Sequence, residues 1–598
     1  MQRAKELKIK VHVEEQLKEV EKKIKEEQEP SRPRQFLDGL TAFEPDETGK
    51  SYTNMVCLHW IATENGIESL ESSRTNQVAC RHPILPVKRM RNLETGEEQI
   101  TLAFKRGGRN RIWNELTVPK EIVVNSRQIT ALAKYGVAVT SESSKLLVRY
   151  LSDIEADNED WIPVIRSSSK LGWHDKSFLP YDTDVTFDAS MKFPQLFNAI
   201  KERGSRETWL DHIRKIRKDP YIEPKIVLAA SFASPLLHFL NIATFIVDSN
   251  GVTEAGKTVE NMVATSVWAC PDEGQYMSDF MTTDAELEVR CDMLNHLPLI
   301  LDDSAKMKKN IRDNIENVIY NLCSGSGKKR SNKELGSERV RTWRNVIIVN
   351  GEQPLSGFVS NAGAINRIIE INLEGEQLFE SPSYTADLVR SNYGFAGHEF
   401  IMRLKEADPE EIRKLHANFA RQLKNRNNMA KQILSMAALL TADKLATDWI
   451  FQDGNNLTAD DVSKYLTDKN DVSEGARCYQ YLIGLLDVKG QHFDLQFGNV
   501  DQWGEVEYKD GIKYINFFVL ALEQLVKDAG YSRKVFTSWA RNKGLLRTNT
   551  SKGRDVYGVR NGNSQKRFIS VKVVDLVDME EKAEKEEKER EADEHMFD

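Results

Sequence analysis

Cysteine is scarce: six in 598 residues, at positions 57, 80, 270, 291, 323 and 478. None forms a C-x-x-C pair and none clusters with histidine at zinc spacing, which argues against a zinc module or a thiol-redox motif. The expectation is a reduced, cytoplasmic protein without structural metal. No run of 18 or more apolar residues exists, so no segment reads as a membrane-spanning helix. The first residues, with Arg3, Lys5, Glu6 and Lys8, hold no apolar signal core. Positive charge is also in short supply overall, at a formal net of -8. That deficit is local: residues 579–598 carry ten acidic and four basic side chains, leaving the body of the chain near -2. Local patches therefore decide which partners the chain attracts.

At this length the chain holds several domains. Residues 1–30 read as a charged helix with one narrow stripe, Ile9, Val13, Leu17, Val20 and Ile24, ended by Pro30 and Pro33. Such a stripe suits a coiled-coil arm, a docking helix or a solvated helix. Residues 31–220 read as an N-terminal α/β module, with short apolar runs at 55–61, 99–104, 121–124 and 145–150 between Gly, Asn and Pro signals. Within it, Arg106, Arg109 and Arg111 flank Gly107-Gly108 in a hairpin turn. Residues 221–450 alternate apolar strands with helical segments, the pattern of a parallel sheet, and become helical from 388 onward. Residues 451–578 are α+β and end in a basic stretch. The 579–598 tail has no apolar periodicity and reads as disordered.

The apolar run 242–247 precedes Gly251, Val252, Thr253, Glu254, Ala255, Gly256, Lys257 and Thr258, and a helical run follows to Trp268. This is G-x-x-x-x-G-K-[ST] between a strand and a helix, the phosphate-binding loop of ATP-binding proteins. Backbone N–H groups and the helix N-terminus converge on phosphate oxygens. Lys257 is placed to hold the β- and γ-phosphates, and Thr258 to ligate Mg²⁺. Forty-five residues beyond Lys257, the apolar run 297–301 ends in Asp302-Asp303. Asp302 is the expected second Mg²⁺ ligand and Asp303 the group that polarises the attacking water; the alternative for Asp303 or Ser304 is a helix cap. A third apolar run, 345–349, ends in Asn350, expected to position the water or sense the γ-phosphate, with Glu352 a weaker choice. Arg367 precedes another strand and is expected to stabilise charge at a neighbouring subunit's site.

Two basic segments follow. Residues 328–344 hold seven basic and two acidic side chains. Lys328, Lys329, Arg330 and Lys333 are expected on a hairpin between two sheet strands, touching single-stranded DNA in the pore of a ring. Residues 530–573 hold eleven basic and one acidic side chain. A helix over 532–543, then two strands around Asn561-Gly562, give a winged-helix pattern. Arg533, Lys534, Arg541, Lys543, Arg554 and Arg567 are its candidate contacts to duplex DNA.

Together these motifs resemble a family. Thr95-Gly-Glu97, Trp113, Pro119, Gly172-Trp173, Gly251–Thr258, Ser266-Val-Trp268, Leu297–Asp303, Gly325–Arg330, Trp343, Gly351-Glu352 and Tyr393-Gly394 stand, over roughly 90–450, as in the phage- and mobile-element-associated ATPase domain of the MCM-like, self-loading replicative (Rep/Cch-type) helicases of staphylococcal-type mobile elements. The resemblance implies an α/β fold with an AAA+ P-loop core, a parallel sheet flanked by helices, between the N-terminal α/β module and a C-terminal winged-helix domain. It also implies a homo-hexameric ring, ATP hydrolysis at subunit interfaces and unwinding of duplex DNA, with replication proteins as further partners. One departure stands out: the second acid, usually Glu, is Asp303, whose shorter side chain points to slow hydrolysis. The other readings are an origin-binding initiator that uses ATP as an assembly switch and an AAA+ protein remodeller.

Overall fold

The computed structural model describes residues 46–576, apart from 47, 53–54, 56–58, 64–65, 70–76, 107–111, 190–192, 330–338, 360, 374–376, 425–427, 470–472, 495–499, 549–555 and 562–563; for 559–566 it describes the backbone alone. The expected helix at 1–30 and the 579–598 tail lie outside the described residues. The chain divides into two compact units, Met1–Pro194 and Gln195–Asp598.

In the first unit, strands β1 (Trp60–Thr63), β2 (Gly66–Ser69) and β3 (Val78–Cys80) form an antiparallel sheet. A second, mixed sheet runs β10 (Thr186–Phe187), β7 (Val164–Ser168), β4 (Ile84–Asn92), β5 (Glu98–Lys105), β6 (Trp113–Pro119), and a small hairpin joins β8 (Gly172–His174) to β9 (Ser177–Leu179). Inward residues of β4 and β5, including Ile84, Ile100 and Leu102, pack with Leu147, Tyr150 and Ile154 of helix α1 (Ser144–Asp157). Two of the expected apolar runs are helical. Residues 145–150 lie inside α1, and 121–124 overlap a short helix at Lys120–Val123. In both, the local period was too short to separate strand from helix. β5 and β6 pair antiparallel as a hairpin, but its Gly107-Gly108 turn, with Arg109 and Arg111, lies outside the described residues.

The second unit begins with α2 (Arg206–Lys218), capped by Ser205, whose hydroxyl accepts from Thr208 N at 3.2 Å. α3 (Glu223–Leu240) is buried on nearly every side, as a core helix is. The central sheet is parallel, in the order β12 (Ser278–Asp279), β13 (Leu299–Asp302), β14 (Val346–Gly351), β11 (Phe245–Gly251), β15 (Ile368–Leu373). β11 and β14 are buried along almost their whole length, which is why they read as unbroken apolar runs. α4 (Lys257–Ser266) follows β11, α5 (Asp284–Leu294) precedes β13, and α6 (Ile315–Cys323) follows it. After β15 come α7 (Pro382–Ser391), α8 (Phe395–Glu406), α9 (Pro409–Gln422) and α10 (Ala430–Ala446).

The last part of this unit has its own core, built by Cys478, Tyr479 and Leu482 of α11 (Glu474–Lys489), Leu522 of α12 (Val519–Asp528), and Phe536 and Ala540 of α13 (Arg533–Asn542). Its sheet runs β16 (Gly504–Lys509), β17 (Ile512–Phe518), β20 (Ser564–Lys572), β18 (Leu546–Arg547), and β19 (Tyr557–Asn561) pairs with β20 as the expected hairpin. Helices followed by this ribbon make the winged helix.

The sequence reading ended the first module at 220, whereas residues 195–220 pack within the second unit. Several side chains of α2 hold it there: Arg206 bonds Glu399, Trp209 donates to Ser266 Oγ at 2.8 Å and Arg214 to Phe451 O at 2.7 Å, and Arg217 is the buried charge among them. Arg217, 1% exposed, bonds Asp443 at 2.7 Å, Asp453 at 2.9 Å and Thr447 at 2.6 Å, and stacks on Phe451 at 4.3 Å. Replacing Arg217 with Leu leaves two buried carboxylates uncompensated, a loss of about 3–5 kcal/mol. Scanning calorimetry should record a lower Tm; an unchanged Tm would contradict this role.

Candidate nucleotide site and basic surfaces

The register of the parallel sheet brings the site together. β14 pairs with β11 so that Ser249 faces Asn350, and β13 pairs with β14 two strands from the loop. The carboxyl ends of all three therefore open onto one edge, where ligands of such sheets bind. There the chain leaves β11 through Gly251 and enters α4 at Lys257. Gly256 has φ 99°, a left-handed turn that aims the first N–H groups of α4 into the loop. Leu378 N donates to Ala255 O at 3.0 Å and braces the loop from outside. Lys257 Nζ donates to the carbonyls of Gly251 at 2.8 Å and Val252 at 2.6 Å. Thr253 Oγ1 donates to Glu352 at 2.6 Å.

A chain of hydrogen bonds links the start of α4 to the ends of β13 and β14. Thr258 Oγ1 lies 3.4 Å from Asp302 Oδ2, and Asn350 Nδ2 donates to Asp302 Oδ1 at 2.7 Å. Asn350 Oδ1 in turn accepts from Asp303 N at 2.6 Å. Burial raises the Asp302 carboxyl above its ordinary range, opposed by the bonds from Asn350 and Thr258. Burial lowers Lys257, opposed by the charges of Glu352, Asp303, Glu260 and Asp302. Asp303 is turned differently: at φ 58°, its carboxylate caps the turn Ser304–Lys306 by accepting from Ala305 N at 3.0 Å. The capping alternative is thus the conformation seen. A cavity of about 730 Å³ is lined by residues 252–259 with Asp302, Asp303, Asn350 and Glu352. A second of equal volume runs along β15 from Tyr221 to Arg477 and contains none of the motif residues.

Other expected residues lie elsewhere. Arg367 sits before the first residue of β15, while Gly251 pairs with Leu373 at the last. At about 3.3 Å per residue, Arg367 is roughly 20 Å from the loop of its own chain. Lys328 and Lys329 are exposed on the outgoing arm of a hairpin closed by the Ser326–Thr342 bridge; Lys328 pairs with Asp284 at 3.6 Å. On the return arm one amino group of Arg339 donates to both carboxylate oxygens of Asp292, at 2.8 and 2.7 Å. Arg330 and Lys333 lie outside the described residues. In the winged helix Lys534, Arg541 and Arg567 are exposed, Lys543 is half-buried, and Arg533 pairs with Glu523 at 2.9 Å. Arg554 lies outside the described residues.

The domain of unknown function DUF927 matches residues 60–343, and the Cch helix turn helix domain matches residues 473–578. The solved structure of the active helicase Cch of SCCmec type IV superposes with a TM-score of 0.65 at 14% identity, covering 86% of this chain and 97% of that one. This chain has the Cch fold. The resemblance drawn from the motifs therefore holds at the level of architecture, including the helix-turn-helix domain at its end. The apo NrS-1 C-terminal region covers 81% of this chain and 96% of that one at 12% identity, but its TM-score of 0.31 supports no argument. A search of curated proteins returns no match. Among the described residues, no helix is long and apolar enough to cross a membrane.

Two buried acids behind the loop escaped the sequence reading. Glu260 on α4 accepts from Ser249 Oγ at 2.7 Å, and Asp248 on β11 accepts from Leu355 N at 2.7 Å. Burial pushes Glu260 up to about 8 and Asp248 up to about 7. The available signal was a carboxylate one turn after Lys257 and another inside an apolar strand. A folded-state carboxyl raised this way stays protonated after the unfolded chain has lost its proton. Its contribution to stability therefore falls as pH rises from near 4.5 to about 8. Glu260→Gln keeps the Ser249 bond without the titration, so unfolding against pH should fall less steeply across that window than in the wild type. Parallel curves would show that Glu260 is not the group responsible.

Proposed function

We propose that the chain is an ATP-dependent DNA helicase, acting as a homo-hexameric, self-loading replicative ring of a phage or related mobile element. The ATPase core with its helical lid is 221–450, and the DNA-binding region is 451–578. The observation that carries the reading is the Thr258–Asp302–Asn350 chain of contacts beside the Gly251–Thr258 loop. It sits in a fold shared with Cch and is accompanied by a basic hairpin and a helix-turn-helix domain.

The loop N–H groups and Lys257 bind the β- and γ-phosphates of ATP, with Lys257 leaving the carbonyls it now holds. The hydroxyl of Thr258 and the carboxylate of Asp302 are oxygen donors that suit a hard dication, and they would hold Mg²⁺, which when bound would supply charge neutralisation at the phosphates. Asp303 turns from its cap toward the attacking water, while Asn350 orients the Asp302 carboxylate and the Asp303 backbone. Arg367, too far from its own loop, serves the site of the neighbouring subunit. The 328–344 hairpins track one strand by their phosphates, and α13 with the β19–β20 wing engages duplex.

One observation favours a second reading. With the Asp303 carboxylate engaged as a cap, hydrolysis is slow, as suits an origin-binding initiator whose ATP controls assembly. Strand displacement on a forked duplex separates the two. Unwinding that needs ATP and disappears in Lys257→Ala supports the helicase. Duplex binding with intact ATPase but no unwinding supports the initiator.

A further inference from the structure

Arg367 is held in an unusual way for a residue at a sheet edge. Its guanidinium lies over the Tyr320 ring, 4.4 Å from the centroid, and one amino group donates to Gly363 O. Its other guanidinium nitrogens make no hydrogen bond among the described residues. Tyr320 is itself fixed. Its hydroxyl donates to Asn361 Oδ1 at 3.2 Å, and the same oxygen accepts from Gly363 N at 2.8 Å. One turn earlier on α6, Glu316 Oε2 accepts from Asn361 N at 3.3 Å. A Cβ at position 363 would collide with the Tyr320 hydroxyl, so the ring could not stay where it is. Glu316 and Tyr320 thus grip the turn that presents Arg367, as side chains four apart on a helix do.

The far end of α6 is clamped to the basic hairpin. Trp343, 4% exposed, donates from its indole nitrogen to Leu322 O at 2.8 Å and from its backbone to Gly325 O at 3.0 Å. One short helix therefore touches the arginine turn with its middle and the root of the DNA-facing hairpin with its end.

We infer that Tyr320 is the positioning residue for Arg367. This rests on Arg367 acting at a neighbour's nucleotide. An unstacked arginine keeps its charge and loses its aim, and misplacement by about 1 Å costs on the order of 10²-fold in rate.

The test is steady-state ATP hydrolysis, with single-stranded DNA present, by full-length Tyr320→Leu, Tyr320→Phe, Arg367→Ala and the Tyr320→Leu/Arg367→Ala double variant. Tyr320→Leu should lower kcat by about 10²-fold at unchanged KM. The double variant should fall no further than Arg367→Ala, because both lesions remove one interaction. Tyr320→Phe, which keeps the ring, should restore kcat to near wild type. Wild-type kcat in Tyr320→Leu while Arg367→Ala is impaired would overturn the positioning role. So would a raised KM in Tyr320→Leu, which marks a structural loss, or a Phe variant as impaired as the Leu one. Wild-type kcat in Arg367→Ala would instead sink the trans-arginine reading, and this inference with it.

Discussion

The site depends on one side chain amide. Asn350 ends the strand between the loop strand and the Asp302 strand, and its two amide atoms bond to both neighbours in the pair Asp302-Asp303. A buried amide with both ends engaged has one orientation, and it transfers that orientation to the carboxylate it holds. Asp302 then faces Thr258 at the start of α4. The parallel register makes this economical: with β13, β14 and β11 in order, their carboxyl ends meet without any loop having to cross the sheet.

Buried polarity recurs wherever this unit needs a fixed geometry. Arg217 ties α2 to the end of α10 and the residues beyond it, and Glu260 ties the first turn of α4 to Ser249. Each group is costly to bury and is retained with partners, which gives a defined arrangement where apolar packing alone would tolerate several. Basic charge follows the opposite logic. At the root of the hairpin Lys328 and Arg339 are paired with acids of α5, and Lys534, Arg541 and Arg567 of the winged helix lie at the surface.

Much of this was legible in the sequence because the informative residues sit at strand ends. An apolar run followed by Gly251–Thr258, another by Asp302-Asp303 and a third by Asn350 locate one edge of a sheet before any coordinates exist. The strand order, and so the contact between Asn350 and Asp302, is long-range and has no local signature. The same holds for Arg217, whose partners lie more than two hundred residues away, and for the helical identity of 121–124 and 145–150, where four to six residues fit either period. The cap on Asp303 was visible as an alternative, since a polar residue before a helical turn serves as ligand or cap with equal ease. The winged helix was readable from the Asn-Gly signal at 561–562 in the sequence and from its charge.

On the proposed function, the Asn350 bridge would align a nucleotide-hydrolysing site coupled to DNA. The direct measurement is ATP hydrolysis by wild type and Asn350→Ala, each with and without single-stranded DNA, alongside nucleotide affinity. Hydrolysis by the wild type should be stimulated by DNA. Asn350→Ala should have a kcat lower by about 10²-fold with affinity little changed, since the loop itself is intact. Wild-type turnover in Asn350→Ala, or hydrolysis indifferent to DNA, would contradict this reading.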